Sequence, residues 1–411
     1  MVLFAALSVA ALICAAPSRG QFTLQTSNTT ADLRGIHNVG NGVAWASGTN
    51  GTVLRTEDGG YVWQSCAVPA GAEKLDFRGV QAFDANTAIV MSSGPGDQSR
   101  LYKTTDGCHT WKLLFRNPDK DGFWDALHWA ARPNTESLTV LGDPVGSRMT
   151  LFAMNPDNTL MVHPKIWYGN LPVRRQLQLH DPNADPVPQK SNEAQDSPNN
   201  LQHNPTPLAK EAFFAASNSS YVQLSKFSFA FAGGGPSGAR AFVYDCQPFE
   251  GRVVHCDWIT SELPMAHSES AGAFSISANR TTTGNVLEPN GVTLIAVGGD
   301  YRHPDSTTGT AAFTIDFARH WLPTQTPPHG YRSSVAYDAS SKTWITVGPN
   351  GTDISTDDGR NWRPVHPNAA LHEPEDADRN WNALSLPYVV GPKGRIGKVD
   401  PSALQTSRHS P

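Results

Sequence analysis

The sequence predicts an all-β chain folded as a seven-bladed β-propeller of four-stranded antiparallel blades, closed by its N- and C-terminal strands. Three observations predict it. A short acidic turn motif recurs, a strand–turn–strand unit recurs around it, and turn formers are abundant, with 35 Gly and 31 Pro in 411 residues. Self-similarity at a period near 40–50 residues, built from short strands, is the mark of stacked sheets that cannot shield both faces alone.

The turn motif reads Ser or Thr, any residue, Asp, then Trp five residues beyond the Asp. It occurs as TEDGGYVW (Thr56, Asp58, Gly60, Trp63), TTDGCHTW (Thr104, Asp106, Trp111) and STDDGRNW (Ser355, Asp357, Gly359, Trp362). Such an Asp can accept backbone N–H groups inside a hairpin turn, Gly supplies a positive φ, and Trp pins the strand onto its sheet. These acids are therefore expected to be structural. The segment from Ala312 to Trp321 is a degenerate copy.

Each motif sits in a larger unit: an apolar opener begins a first strand, a second strand runs into Gly, and a third leads into the acidic turn. Openers occur at Leu33, Phe77, Trp124, Ala212, Ala271, Tyr331 and Trp381, separated by 44, 47, 88, 59, 60 and 50 residues. Seven openers favour seven blades, with six or eight as alternatives. The last unit lacks an outer strand, and FTLQTS after Gln21 is expected to supply it. Pairing the two ends would remove the exposed edges of an open stack.

The 88-residue gap holds an insertion over residues 172–210, with seven prolines and no apolar periodicity, expected to be a surface loop. Residues 401–411 are expected to form a flexible tail. Met1 to Ala16 is an apolar stretch of signal-peptide length, so residues 1–20 are expected to direct export to the periplasm or beyond. Four cysteines remain: Cys66, Cys108, Cys246 and Cys256. In an exported chain they are disulfide candidates, Cys246 with Cys256 across one loop and Cys66 with Cys108 between neighbouring units. Four buried thiols are the alternative. Their spacing does not suit zinc, and no metal or other cofactor is expected.

The acidic turns and the units around them resemble the bacterial neuraminidase repeat. The arrangement over residues 22–400 is similar to exported propellers related to the photosystem II stability and assembly factor. That resemblance implies a non-enzymatic protein that binds a partner on one propeller face, aided by an arginine patch.

Strand order places two sets of residues at one mouth of the central channel. Arg34, Arg78, Asp125, Arg332 and Asn382 precede or begin first strands; Asp143 and Asp300 follow second strands. Arginine forks in this bowl would suit a carboxylate or phosphate, so a protein or a small anionic ligand is the expected partner. The competing reading ties blades together through Arg–Asp pairs. An enzymatic alternative is a sialidase-type glycosidase, drawing on three arginines with Asp143, Asp300 and Tyr331. No other catalytic signature is present. A net charge of −5 without a basic block speaks against nucleic acid, and no second long apolar run speaks for a membrane span. The chain is expected to be a monomer.

Overall fold

The computed structural model describes residues 20–132, 135–154, 205–225, 228–249, 252–280 and 292–406. The apolar stretch Met1–Ala16 and residues 172–204 of the insertion lie outside the described residues, as do 407–411. No helix among the described residues is long and apolar enough to cross a membrane.

The strands form seven antiparallel sheets, six of four strands and one with three described strands. Blade 1 comprises Leu33–Gly40, Val43–Gly48, Val53–Thr56 and Gln64–Ser65. Blade 2 comprises Phe77–Ala82, Ala88–Ser92, Arg100–Thr104 and Lys112–Arg116. Blade 3 begins at Trp124–Arg132, blade 4 at Tyr221–Gln223, blade 5 at Ala271–Ala278, blade 6 at Ser334–Asp338 and blade 7 at Ala383–Ser385. These seven innermost strands touch one another in an unbroken cycle, from blade 1 to blade 7 and back to blade 1. The outer strand of blade 7 is Phe22–Gln25, which runs antiparallel to Ile396–Val399 in the register Phe22↔Val399. The expected closure of the ring by both ends of the chain is therefore present.

The core is divided in the same way. The buried apolar side chains fall into seven clusters, each lying between two neighbouring blades rather than inside one. A four-stranded sheet has two apolar faces and can bury both only when it is flanked on both sides, so the ring is the smallest arrangement that leaves none exposed. The motif tryptophans sit in these seams. Trp63 packs with Tyr388 and Val390 of blade 7, and Trp362 with Ile295 and Phe313 of blade 5.

The acidic turns share one geometry. The Thr56 hydroxyl donates to Asp58 Oδ1 at 2.8 Å, and the same oxygen accepts from Val62 N at 3.0 Å. The equivalent pairs are Thr104 and Thr110 at Asp106, Thr314 and His320 at Asp316, and Ser355 and Asn361 at Asp357. These bonds hold the four carboxyls below the usual carboxylate range. Gly60 and Gly359 take the positive φ that the turn requires; in blade 2 Cys108 takes it instead, at 66°. Cys108 is disulfide-bonded to Cys66, which follows the outer strand of blade 1, so the two blades are covalently joined. Cys246 and Cys256 are register partners across the long hairpin of blade 4. Cys256 is disulfide-bonded, while the Cys246 side chain lies outside the described residues.

Where the sequence suggests a frayed tail, Pro401–Thr406 is a short helix. Leu404 is buried in the seam between blades 6 and 7, and its carbonyl accepts from Arg363 Nη2 at 2.6 Å. Packing of one leucine holds the segment down.

Candidate functional site

One register rule organises the mouth of the channel. Where the second strand of a blade ends, its backbone passes so close to the first strand that a Cβ would collide with a carbonyl oxygen. Gly48, Gly142, Gly233, Gly298, Gly348 and Gly391 occupy that position in six blades, against the carbonyls of Asp32, Phe123, Ala212, Gly272, Tyr331 and Asn380. The residue after each carbonyl is the blade's anchor: Leu33, Trp124, Phe213, Ala273, Arg332 and Trp381, joined by Phe77 in blade 2, all fully buried. The residue after the anchor falls at the mouth. In blades 1, 2, 3 and 5 it is an unpaired bulge residue in the ladder, and a bulge re-aims its side chain away from the sheet. Around the ring this position holds Arg34, Arg78, Asp125, Phe214, Phe274, Ser333 and Asn382.

Arg34 and Arg78 share one carboxylate, Asp76, at 3.4 and 2.8 Å. Arg78 also donates from Nη1 to the Ala215 carbonyl at 3.0 Å. Arg34 makes no hydrogen bond to Asp76, and its buried Nε has no acceptor. Each arginine side chain keeps 28% of its surface exposed. Two guanidinium groups against one carboxylate leave an excess of positive charge here, with donors of Arg34 unspent.

Asp125 is buried, and burial together with the adjacent Asp143 pushes its pKa well above the carboxylate range. Asp143 is also raised by burial, and its Oδ1 accepts from Phe213 N at 2.9 Å. With Asp143 adjacent and its own Oδ2 buried without a partner, Asp125 favours the protonated form. Asn382 donates to the Leu33 carbonyl at 2.9 Å and links blade 7 to blade 1. Asp300 is occupied by Ser270 Oγ at 2.7 Å and His303 Nδ1 at 2.9 Å.

Arg332 departs from the expectation. Reading Tyr331 as the opener places Arg332 at the mouth beside Arg34 and Arg78. The structure shifts that register by one: Tyr331 lies where Asp32 lies in blade 1, so Arg332 takes the anchor position and is fully buried. Its guanidinium is satisfied by Asp353 Oδ2 (2.7 Å from Nε), the Tyr331 carbonyl (2.7 Å) and Asn350 Oδ1 (2.6 Å). Burial works against the Asp353 carboxylate, but the His329 and Arg332 contacts hold its pKa below the ordinary value.

Two features escape the sequence reading. The first is Phe274, which fills the mouth position of blade 5 because Ala271–Gly272 lie ahead of the true anchor, Ala273. The second is the loop following Phe213. The other bulges contain one residue, whereas here residues 214–220 intervene before the strand Tyr221–Gln223. This loop crosses the channel. Its backbone and side chains bond to blade 2 (Arg78 to the Ala215 carbonyl), blade 3 (Leu127 N to Asn218 Oδ1, 2.7 Å), blade 5 (Ile276 N to the Ser219 carbonyl, 2.8 Å) and blade 6 (Ser217 Oγ to the Ser333 carbonyl, 2.7 Å). The bowl therefore has a floor. The only sequence signal is the small polar run Ala215–Ser220 between two aromatic stretches.

Phe214 leads this floor and stacks on Phe274 with ring centroids 4.1 Å apart. Phe274 meets Tyr331 edge-on at 4.9 Å and Tyr301 at 6.1 Å. Burial raises the Tyr331 hydroxyl well above its ordinary pKa, while Arg34 and Arg78 pull the other way. One half of the mouth is thus cationic and the other aromatic.

No family model matches this sequence, and no curated protein matches it. Solved structures do. The structure described as YCF48 bound to D1 peptide covers 93% of this chain and 98% of its own, with a TM-score of 0.51 at 15% identity. YCF48 from Cyanidioschyzon merolae covers 93% of this chain and 99% of its own, with a TM-score of 0.49 at 17% identity. At this identity the likeness is one of fold.

Proposed function

We propose that the protein is a non-enzymatic propeller that captures an acidic segment of a partner protein at the floored axial mouth, as a binding or assembly factor. The observation that carries this reading is Arg34, partly exposed and with a donor unspent, beside Arg78 over a single shared carboxylate. Guanidinium forks in such a setting bind carboxylates in two-point fashion. The fold supports it too, since a propeller of this type has been solved with a peptide bound. Membership of the assembly-factor group, and of the neuraminidase-type repeats, is part of the same proposal.

We place the protein outside the cytosol, on the combination of the apolar stretch at Met1–Ala16 and the Cys66–Cys108 disulfide. The sialidase-type alternative gains no support. Arg332 is spent on Asp353, so three arginines do not converge, and the raised Tyr331 hydroxyl is a poor nucleophile at neutral pH.

The test uses purified protein as bait in native envelope extract, with captured partners identified by mass spectrometry and their acidic segments measured by calorimetry. Arg34→Ala with Arg78→Ala is expected to abolish capture. Because these pairs are partly buried and Arg78 also holds the Ala215 carbonyl, the double change is expected to cost about 1–3 kcal/mol, a fall in melting temperature of about 1–4 °C. Undiminished capture by the double variant would remove the site from consideration.

A further inference from the structure

The aromatic half of the mouth has no role in holding a carboxylate. Phe274 is buried beneath two rings that are not: Phe214, half-buried on the floor loop, and Tyr301, 46% exposed at the rim. Tyr301 is among the few large apolar side chains so exposed on the described surface. The Tyr331 hydroxyl lies close enough to Arg34, Arg78 and Tyr301 to feel all three, and the residue after Phe214 receives the bond from Arg78. The cationic and aromatic halves are therefore contiguous. The floor loop belongs to blade 4 alone, and it both closes the channel and presents Phe214. In the other bulges a single residue suffices, so the extra length serves the floor and its ring rather than the blade.

We propose that the mouth is a two-part peptide site in which Phe214 and Tyr301, backed by Phe274, receive an aromatic side chain of the same segment whose carboxylate lies on Arg34 and Arg78. The charge decides the occupant. An apolar ligand without a carboxylate leaves the arginine excess unmatched, and a small anion leaves the rings exposed, whereas an acidic segment with a nearby aromatic residue satisfies both. An aromatic ring on this platform would gain edge and stacking contacts that an aliphatic or polar side chain lacks. Arg302, whose guanidinium carbon lies 5.9 Å from the centre of the Tyr301 ring, extends that surface outward. This inference rests on the carboxylate-binding reading above, and its test separates the two.

The probes are short fluorescein-labelled peptides carrying one Glu with Phe one, two or three residues away, and matched peptides with Ser in place of Phe, read by fluorescence anisotropy. The expected result is that at least one Phe peptide binds about tenfold more tightly than its Ser counterpart, a difference of about 1.4 kcal/mol. Tyr301→Ser is expected to reduce that preference, and Tyr301→Ser with Phe214→Ala to bring it below about twofold. Arg34→Ala is expected to weaken both peptides together. Phe and Ser peptides binding with equal affinity would overturn the aromatic site and leave the carboxylate reading standing. Failure of every peptide to bind wild-type protein would overturn both. Tyr301 is at the surface, so its single variant remains decisive even where the double variant fails to fold: an unchanged Phe preference in Tyr301→Ser would overturn the platform.

Discussion

Replacing Arg332 by Ala would strand the Asp353 carboxylate in the seam of blade 6. Both side chains are buried, at 0% and 1% exposure. Arg332 sits where the other blades place Leu, Phe, Trp or Ala, and its guanidinium is held by Asp353, the Tyr331 carbonyl and Asn350. Removing one member of such a pair costs about 3–5 kcal/mol, because the survivor keeps its desolvation without its counter-charge. With an unfolding entropy of about 2.1 cal/mol/K per residue, a chain of this size has about 0.8 kcal/mol/K in total, so the melting temperature should fall by about 4–6 °C. Scanning calorimetry at neutral pH measures this directly. A double-mutant cycle with Arg332→Met and Asp353→Leu should return a coupling of at least about 2 kcal/mol, since an apolar pair restores what either single change breaks. Two outcomes would refute the reasoning: a shift of less than about 1 °C for Arg332→Ala, or loss of peptide capture at an unchanged melting temperature. The second would mean that Arg332 reaches ligand.

Three further outcomes follow from the geometry. Replacing Cys66 and Cys108 by Ser opens a loop of 42 residues; the chain-entropy relation gives about 4 kcal/mol of lost stability, readable as a lower denaturant midpoint under non-reducing conditions. His37 and His128 lie on the innermost strands of blades 1 and 3, against Ala82 and Tyr221 of the next blades, with pKa values lowered to about 4 by burial. The unfolded chain then binds more protons between pH 6.5 and 4, so stability should fall as pH drops through that window, on the order of 1–3 kcal/mol per histidine. His37→Asn with His128→Gln should flatten the profile, and an unchanged acid slope would show that other groups set it. Asp125 has the opposite sign: its raised pKa gives stability at low pH that is lost as pH rises through the folded value. Asp125→Asn should therefore gain on wild type as pH increases, and a constant difference across pH would contradict the raised Asp125 pKa.

The parts of the fold that repeat were legible. Thr56–Asp58–Trp63 and its copies announce turns because a hydroxyl, a carboxylate and a left-handed residue must coincide to close that loop. Phe22–Gln25 could be assigned to the last blade because a ring with a missing strand leaves only one partner. The mouth was half legible. Arg34 and Arg78 lie between an apolar anchor and a glycine, so their placement follows from the pattern. Tyr331-Arg332-Ser333 imitates that pattern, and only the close approach of Gly348 to the Tyr331 carbonyl reveals that the arginine is the anchor. A charged residue in a core position is invisible to hydrophobic patterning, since its partners are Asp353 on another strand and Asn350 in the turn before it. Phe214 and the floor loop were illegible for a related reason: a loop that spans a channel is held by long-range hydrogen bonds, which leave no period in the chain.

The pairing of Phe22 with Val399 also governs when the protein can become a protein. Everything from Phe22 to Ile396 must be made before the first strand finds its neighbour. Until then one sheet edge and two seams stay open to any strand nearby. Contacts so distant along the chain slow the search, so truncation near Ile396 would leave an adhesive nascent form rather than a slightly shorter ring.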